Sequence, residues 1–217
     1  MGEGRMSRNL TSACWLSLIS CVVVIIAFST PAWVENDGML PNPKFIRSGL
    51  WEVCLEYFED PEFEYDRKFL GCYWIFNEEL HFISDVIHPP FLTATQTFFT
   101  FSFVVTIFMS VGVIMFNFFC PPDREILALR IIGSGFIGAG VCGTIAVIIF
   151  GALGDSRDFM PHWEHNYLSW SFAFAVVAVI LEIIAGTMFL VEMRRFMKRL
   201  STSSGGPDPS STAQVLR

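Results

Sequence analysis

Four apolar stretches, at about 10–30, 92–119, 126–153 and 168–193, constrain this chain more than any other feature. A helix crossing the hydrocarbon of a bilayer needs ~20 predominantly apolar residues, and each stretch supplies them. Composition agrees: of 217 residues, 53% are hydrophobic and 23 are Phe, which is too apolar for an ordinary soluble domain. The first stretch is too long for the apolar core of a cleaved signal. Thr30-Pro31-Ala32-Trp33 is also not a small-x-small cleavage site, so a retained anchor is expected. The fold class is read as a membrane all-α four-helix bundle.

Positive charge sets the expected orientation. Arg5 and Arg8 flank the first span, Arg124 and Arg130 the short middle loop, and Arg194, Arg195, Lys198 and Arg199 follow the last span. Basic flanks stay in the cytoplasm, which places both termini there and leaves loops 34–91 and 154–167 outside the cell. The first outer loop holds twelve acidic residues against four basic ones, making it more acidic than the whole chain at −7. Nucleic acid is excluded as its partner. The basic run after the fourth span fixes orientation and touches anionic membrane lipid.

Of six cysteines, Cys14, Cys21 and Cys142 lie within spans and Cys120 at an inner edge; only Cys54 and Cys72 face the oxidising side. That pair reads as one disulfide. Closing a loop of ~18 residues contributes about 3 kcal/mol on the chain-entropy estimate. Around it, Phe45–Tyr57 and Phe69–Phe76 are rich in aromatic and β-branched residues, with Pro61 and an acidic run between them. Two antiparallel strands joined by that turn are expected, with Ala32–Asn36 as a third. Trp51 and Cys54 sit three apart, so sharing one face requires a bulge near Gly49 or strong twist.

Other positions carry candidate roles. The second span is dense in Phe, read as lipid-facing filler. In the third, Gly135, Ala139 and Gly143 recur every four residues, with Ser134, Gly138 and Cys142 on the next row, a spacing that lets helix backbones approach closely within the bundle. Glu182 is a carboxylate in mid-span that costs about 2.5–3.5 kcal/mol or more unless partnered, with Ser110, Asn117, Ser134 and Thr144 as candidate partners. The acidic turn Glu59, Asp60, Glu62, Glu64 and Asp66 lacks the spacing and glycine of a calcium loop and reads as a solvated segment that repels anions or steers a basic partner. His162, Glu164 and His165 are too few ligands for zinc. Cys120, beside Pro121 and Pro122, is placed for palmitoylation. Asn9-Leu10-Thr11 is a glycosylation sequon on the side where it stays unmodified. Residues 201–212 lack apolar side chains to bury, and 201–217 are expected to form a disordered cytoplasmic tail. No nucleophile elbow, phosphate loop or His-paired nucleophile appears, so no enzyme, cofactor or metal is expected.

The order Trp33, Gly49-Leu50-Trp51, Cys54, Cys72 after a first span, within four spans and with a short second outer loop, resembles the claudin superfamily, which includes claudins, peripheral myelin protein 22 and the epithelial membrane proteins. The resemblance implies a left-handed four-helix bundle carrying a small extracellular antiparallel sheet. This chain departs from vertebrate claudins in three ways: seventeen residues between Cys54 and Cys72 instead of about ten, no basic residue opening the second span, and a C-terminal Arg217 that cannot fill a PDZ pocket. Those departures suggest an invertebrate, insect septate-junction member of the Pasiflora type.

The function implied is structural and adhesive: a plasma-membrane protein at lateral cell–cell junctions, forming homo- or hetero-oligomers with other junction membrane proteins in cis and in trans and contributing to a paracellular barrier. The alternative is an auxiliary regulatory subunit of an ion channel or receptor, since the same superfamily includes such regulators. A transporter is disfavoured by the lack of an internal repeat.

Overall fold

The computed structural model describes residues 7–39, 41, 43–59, 68–78, 80, 87–154, 159–160 and 163–204. Each apolar stretch is a helix: α1 Arg8–Ser29, α2 Pro90–Phe119, α3 Glu125–Leu153 and α4 Trp170–Ser204. All four are long and apolar enough to cross a membrane, so the chain is a multi-pass membrane protein.

Local chemistry sets their ends. Ser7 caps α1, its hydroxyl accepting the Leu10 amide at 3.1 Å. Pro31, one residue past the cap Thr30, stops the same helix. Pro90 opens α2, where its missing N–H costs nothing. A short 3-10 turn, Pro122–Arg124, joins α2 to α3.

α4 runs eleven residues beyond Met193 and takes in Ser201–Ser204, the first part of the segment expected to be a disordered tail. No proline interrupts before Pro207, and Ser201 and Thr202 both donate to the Lys198 carbonyl, at 2.8 and 2.9 Å. Residues 205–217, the rest of that tail, lie outside the described residues.

The bundle is apolar on its outer surface as well as in its core, and small and hydroxyl residues share the interior with Phe99, Phe136, Phe150 and Phe189. Trp15, Phe101, Phe108, Phe118, Phe119 and Ile148 point outward, while the interior is lined by Ser17, Ser20, Ser102, Thr106, Ala139, Ala146, Ala178 and Ala185. Small residues let the backbones close, and the hydroxyls find acceptors where lipid offers none: Ser17 and Ser20 donate to the Cys14 and Ala178 carbonyls, Ser102 and Thr106 to Glu182. Gly135 lies against Met109 of α2, Ala139 is buried, and a Cβ on Gly143 would stand 2.6 Å from Val179 and 3.0 Å from the Ser102 hydroxyl. The tightest α3–α4 approach is elsewhere, at Gly133 and Gly186, where a Cβ on Gly186 would stand 2.8 Å from the Gly133 carbonyl. Gly138, on the neighbouring row, faces open space.

At one end of the bundle sits a five-stranded antiparallel sheet in the order β4-β3-β2-β1-β5. Its strands are β1 Val34–Asn36, β2 Phe45–Ser48, β3 Glu52–Glu59, β4 Lys68–Trp74 and β5 Asn166–Leu168. The single strand expected over 45–57 is therefore two, broken at Gly49-Leu50-Trp51, and the second loop contributes an edge strand that its three residues did not announce.

Candidate functional site

One side chain reaches from the sheet into the heart of the bundle. Trp33 leaves α1 through Pro31 and is fully buried, its indole Nε1 donating to the Ala27 carbonyl at 2.8 Å. Its ring meets Phe99 of α2, Phe150 of α3 and Phe172 of α4, with centroids 5.1, 4.9 and 5.7 Å away. Phe99 is thus no lipid-facing filler; about 100° and 200° of helix phase separate it from the outward Phe98 and Phe101. The Trp33 amide bonds the Ser48 carbonyl of β2, and its own carbonyl accepts from Ser169 beyond β5 (2.9 Å each). One residue therefore joins all four helices and two loops.

Gly49-Leu50-Trp51 forms the corner between β2 and β3, closed by the Gly49 amide on the Glu52 carbonyl at 2.8 Å. A Cβ on Gly49 would stand 2.6 Å from Pro31 Cα and 2.7 Å from the Thr30 carbonyl, so only glycine lets the corner touch the end of α1. Leu50 is buried, and its carbonyl accepts the Gln96 side-chain amide of α2 at 2.6 Å. Gln96 is held in turn by His88, 2.9 Å away. Trp51 is half-buried beside Phe28 and Phe76. It lies outside the regular strand, so face alternation does not bind it to Cys54. The register shifts occur instead between Phe45 and Arg47 and between Leu55 and Phe58. Cys54 and Cys72 face each other across β3 and β4 and are disulfide-bonded.

β5 is tied to β1 by polar side chains. Ser169 and Tyr167 donate to Glu35 at 2.7 and 3.3 Å, and Asn36 donates to Asn166 at 3.3 Å. His165 Nδ1 donates to Asp37 at 2.9 Å. The Met39 backbone amide, and then His165, hold the Asp37 carboxyl below the usual carboxylate range. Loss of water around the Tyr167 hydroxyl, reinforced by Glu35, pushes it up.

Glu182 of α4 is fully buried, with Thr106 donating at 2.6 Å and Ser102 at 3.2 Å, both from α2. The four partners expected from sequence are not the ones found. Asn117, Ser134 and Thr144 donate to carbonyls of their own helices, and Ser110 has no hydrogen-bond partner among the described residues. Which α2 residues lie at the depth of Glu182 depends on where two parallel helices start, which residue types do not disclose.

A second buried carboxylate escaped the sequence reading. Glu192, near the far end of α4, accepts from Asn9 of α1 at 3.2 Å and from Arg195 at 3.3 Å.

Of the acidic turn, Glu59 ends β3 opposite Lys68, while Asp60, Glu62, Glu64 and Asp66 lie outside the described residues, as does His162. Glu164 is exposed and His165 is bonded to Asp37. Among the described residues no three His, Cys, Asp or Glu side chains converge on a metal-sized site. Cys120 caps α2 and borders an apolar groove of about 370 Å³ with Phe116, Phe119, Leu127 and Ile131.

A family model described as PMP-22/EMP/MP20/Claudin tight junction matches residues 18–191, which hold the cystine sheet and its Trp33 seat. The chain belongs to this family. Its fold, four spanning helices with a small antiparallel sheet, is claudin-like. Among curated proteins, this claudin-family chain is similar to the voltage-dependent calcium channel gamma-5 subunits of Mus musculus, Rattus norvegicus and Homo sapiens. Identity is 30% in each case, across 90% of this chain and 72% of each relative.

Proposed function

We propose that this chain is a structural, non-catalytic plasma-membrane protein that works by presenting its rigid sheet to neighbouring membrane proteins at lateral cell–cell contacts, where it contributes to a paracellular barrier. In this reading both termini are cytoplasmic, as the basic flanks favour, and the sheet stands outside the cell. The observation that carries it is the surface of the sheet. Tyr57, Leu70, Trp74 and Phe76 are exposed although the cystine and Trp33 hold the strands under them fixed, and the Trp74 and Phe76 rings touch at 5.4 Å. Rigid exposed aromatics lose little entropy when covered, which suits them to contacts with other proteins. The long acidic stretch between Cys54 and Cys72 remains the reason to favour a septate-junction type, the Pasiflora pattern.

The second reading is an auxiliary subunit of an ion channel, and the names of the calcium channel gamma-5 relatives favour it. Both readings use the same sheet and helices; they differ in what covers them.

One experiment separates them. The tagged chain and its Trp74→Ala/Leu70→Ala double variant are expressed in an epithelium lacking the native protein. The junction reading expects lateral localisation and dye exclusion for wild type, both lost in a variant that still folds. Normal dye exclusion without the protein, together with co-purification of one channel type whose gating it alters, overturns the junction reading in favour of the second.

A further inference from the structure

Where the Pro122–Arg124 turn joins α2 to α3, the two helices leave between them the apolar groove of about 370 Å³ that Cys120 borders. Two rows wall it, each stepping by four residues: Gly112, Phe116 and Cys120 along α2, and Arg124, Ala128 and Ile132 from the turn into α3. Residues four apart share a helix face, so each row runs lengthwise. A Cβ on Gly112 would come within 3.6 Å of Ile132, and there the rows meet. Gly112 and Ala128 carry no long side chain, which keeps the space between the rows open. Eight residues at 1.5 Å each give it a length of about 12 Å, close to the ~15 Å hydrocarbon depth of one leaflet. The groove therefore starts at the membrane surface and ends near the bilayer middle.

Arg124 stands at the surface end. Its side chain is exposed, and among the described residues it forms no ion pair. Asp123, beside it in the turn, is not part of the lining. One free cation above an apolar trough matches a molecule with an anionic head and an alkyl tail. Other occupants fit less well. A partner helix about 10–12 Å across displaces roughly 500 Å³ in a single turn, more than the groove holds. A second copy of this chain brings Arg8, Arg124, Arg130 and Arg194 to the same level, and these are exposed cations. A chain tethered to Cys120 as a thioester would fill the trough and leave the guanidinium without an anion.

We propose that this groove binds one anionic phospholipid, with an acyl chain between the two rows and the head's phosphate on Arg124. The planar guanidinium holds phosphate through paired, charge-assisted hydrogen bonds. The chain completes the packing that α2 and α3 leave open at this end, where small residues alone would leave their neighbours without van der Waals contacts. The basic flanks put this end on the cytoplasmic side, whose leaflet carries the anionic lipid. The lipid site is independent of what covers the sheet. The orientation proposed above decides only which leaflet supplies the lipid, and a detergent micelle poses no such choice.

The full chain is purified in mild detergent with equal amounts of phosphatidylserine and phosphatidylcholine that carry identical chains. Native mass spectrometry counts the lipid retained, and thermal unfolding confirms that each variant folds. The wild type should retain one phosphatidylserine in clear excess over phosphatidylcholine, whose choline cancels the phosphate charge. Arg124→Gln should cut that preference about fivefold, the effect of one cation near an anionic lipid surface. Ala128→Phe, which plugs the trough, should lower retention of both lipids several-fold. Gly112→Leu plugs it from the opposite wall and takes its place if the first variant does not fold. Equal retention of the two lipids by wild type, or an unchanged preference in Arg124→Gln, overturns the head seat and with it the proposal. Unchanged retention in the plugged variants overturns the groove as the site. An acyl group on Cys120, with phospholipid retention rising in Cys120→Ser, or a dimer that the plugs dissolve, overturns phospholipid as the occupant.

Discussion

Gly49→Ala isolates the contact on which the sheet's seating depends. The added methyl would stand 2.6 Å from Pro31 Cα and 2.7 Å from the Thr30 carbonyl oxygen, whereas non-bonded carbon pairs prefer about 3.5–4.0 Å. Both obstacles are backbone, and one is a proline at the end of a helix, so neither can rotate away. The corner must retreat by about 1 Å. That retreat strains the Leu50 carbonyl's 2.6 Å bond to Gln96 and the Trp33–Ser48 backbone bond. Overpacking against adjustable side chains costs about 1–3 kcal/mol; here the cost should lie at or above about 3 kcal/mol. Gly49 does not occupy the left-handed region, so no conformational strain confuses the result. Gly138→Ala is the matched control. It meets nothing within 4 Å and adds a better helix former, so its effect should stay within about 0.5 kcal/mol of neutral or favour the fold. Unfolding in mild detergent, followed by tryptophan fluorescence, compares the two. If Gly49→Ala unfolds within 0.5 kcal/mol of wild type, the corner is not pressed against α1 and the seating argument fails.

Removing the cystine by Cys54→Ser, or by reduction of the wild type, should cost about 3 kcal/mol, the chain-entropy value for a sequence separation of 18. Equal unfolding midpoints with and without reductant would show that the strands hold without it. Glu182→Gln keeps an acceptor for Thr106 and should unfold within about 0.5 kcal/mol of wild type, while Glu182→Leu should lose roughly 1 kcal/mol for two interhelical hydrogen bonds. A loss above about 3 kcal/mol in the Gln variant would mean that the carboxyl does more than bridge α2 and α4. Asp37 titrates lower when folded than when unfolded, so its contribution is complete above the ordinary aspartate value near 4 and is lost as pH falls through the lower folded value. Deuterium-exchange protection of the β5 amides 166–168 should therefore fall on the acid side of that value in wild type and not in Asp37→Asn. An identical acid response in both would remove Asp37 from the account.

What could and could not be read from the chain follows from how each feature is encoded. Span number, the sheet and the facing of Cys54 and Cys72 depend on length, side of the membrane and local residue type, all carried by contiguous residues. What escaped depends on phase between elements. The third span shows a small residue every fourth position, and Gly135, Ala139 and Gly143 do sit against neighbouring helices. The closest approach nevertheless falls to Gly133 and Gly186, because the neighbours decide which face turns inward. Glu182 clearly needs a hydroxyl partner, yet Ser102 and Thr106 could be chosen over Ser110 only by knowing how far α2 is displaced along α4. Gln96 and Glu192 work in the same way, each meeting a residue distant in sequence that gives no local sign of it. β5 is the extreme case: three residues become a strand because β1 offers a free edge and Glu35, Asn36 and Asp37 find partners there. This division bears on function. The features encoded locally build the claudin-like platform, whereas the roles proposed above would be told apart by its exposed side chains, Leu70, Trp74 and Phe76 among them. Perturbations meant to separate those roles therefore belong on that face and not in the core beneath it.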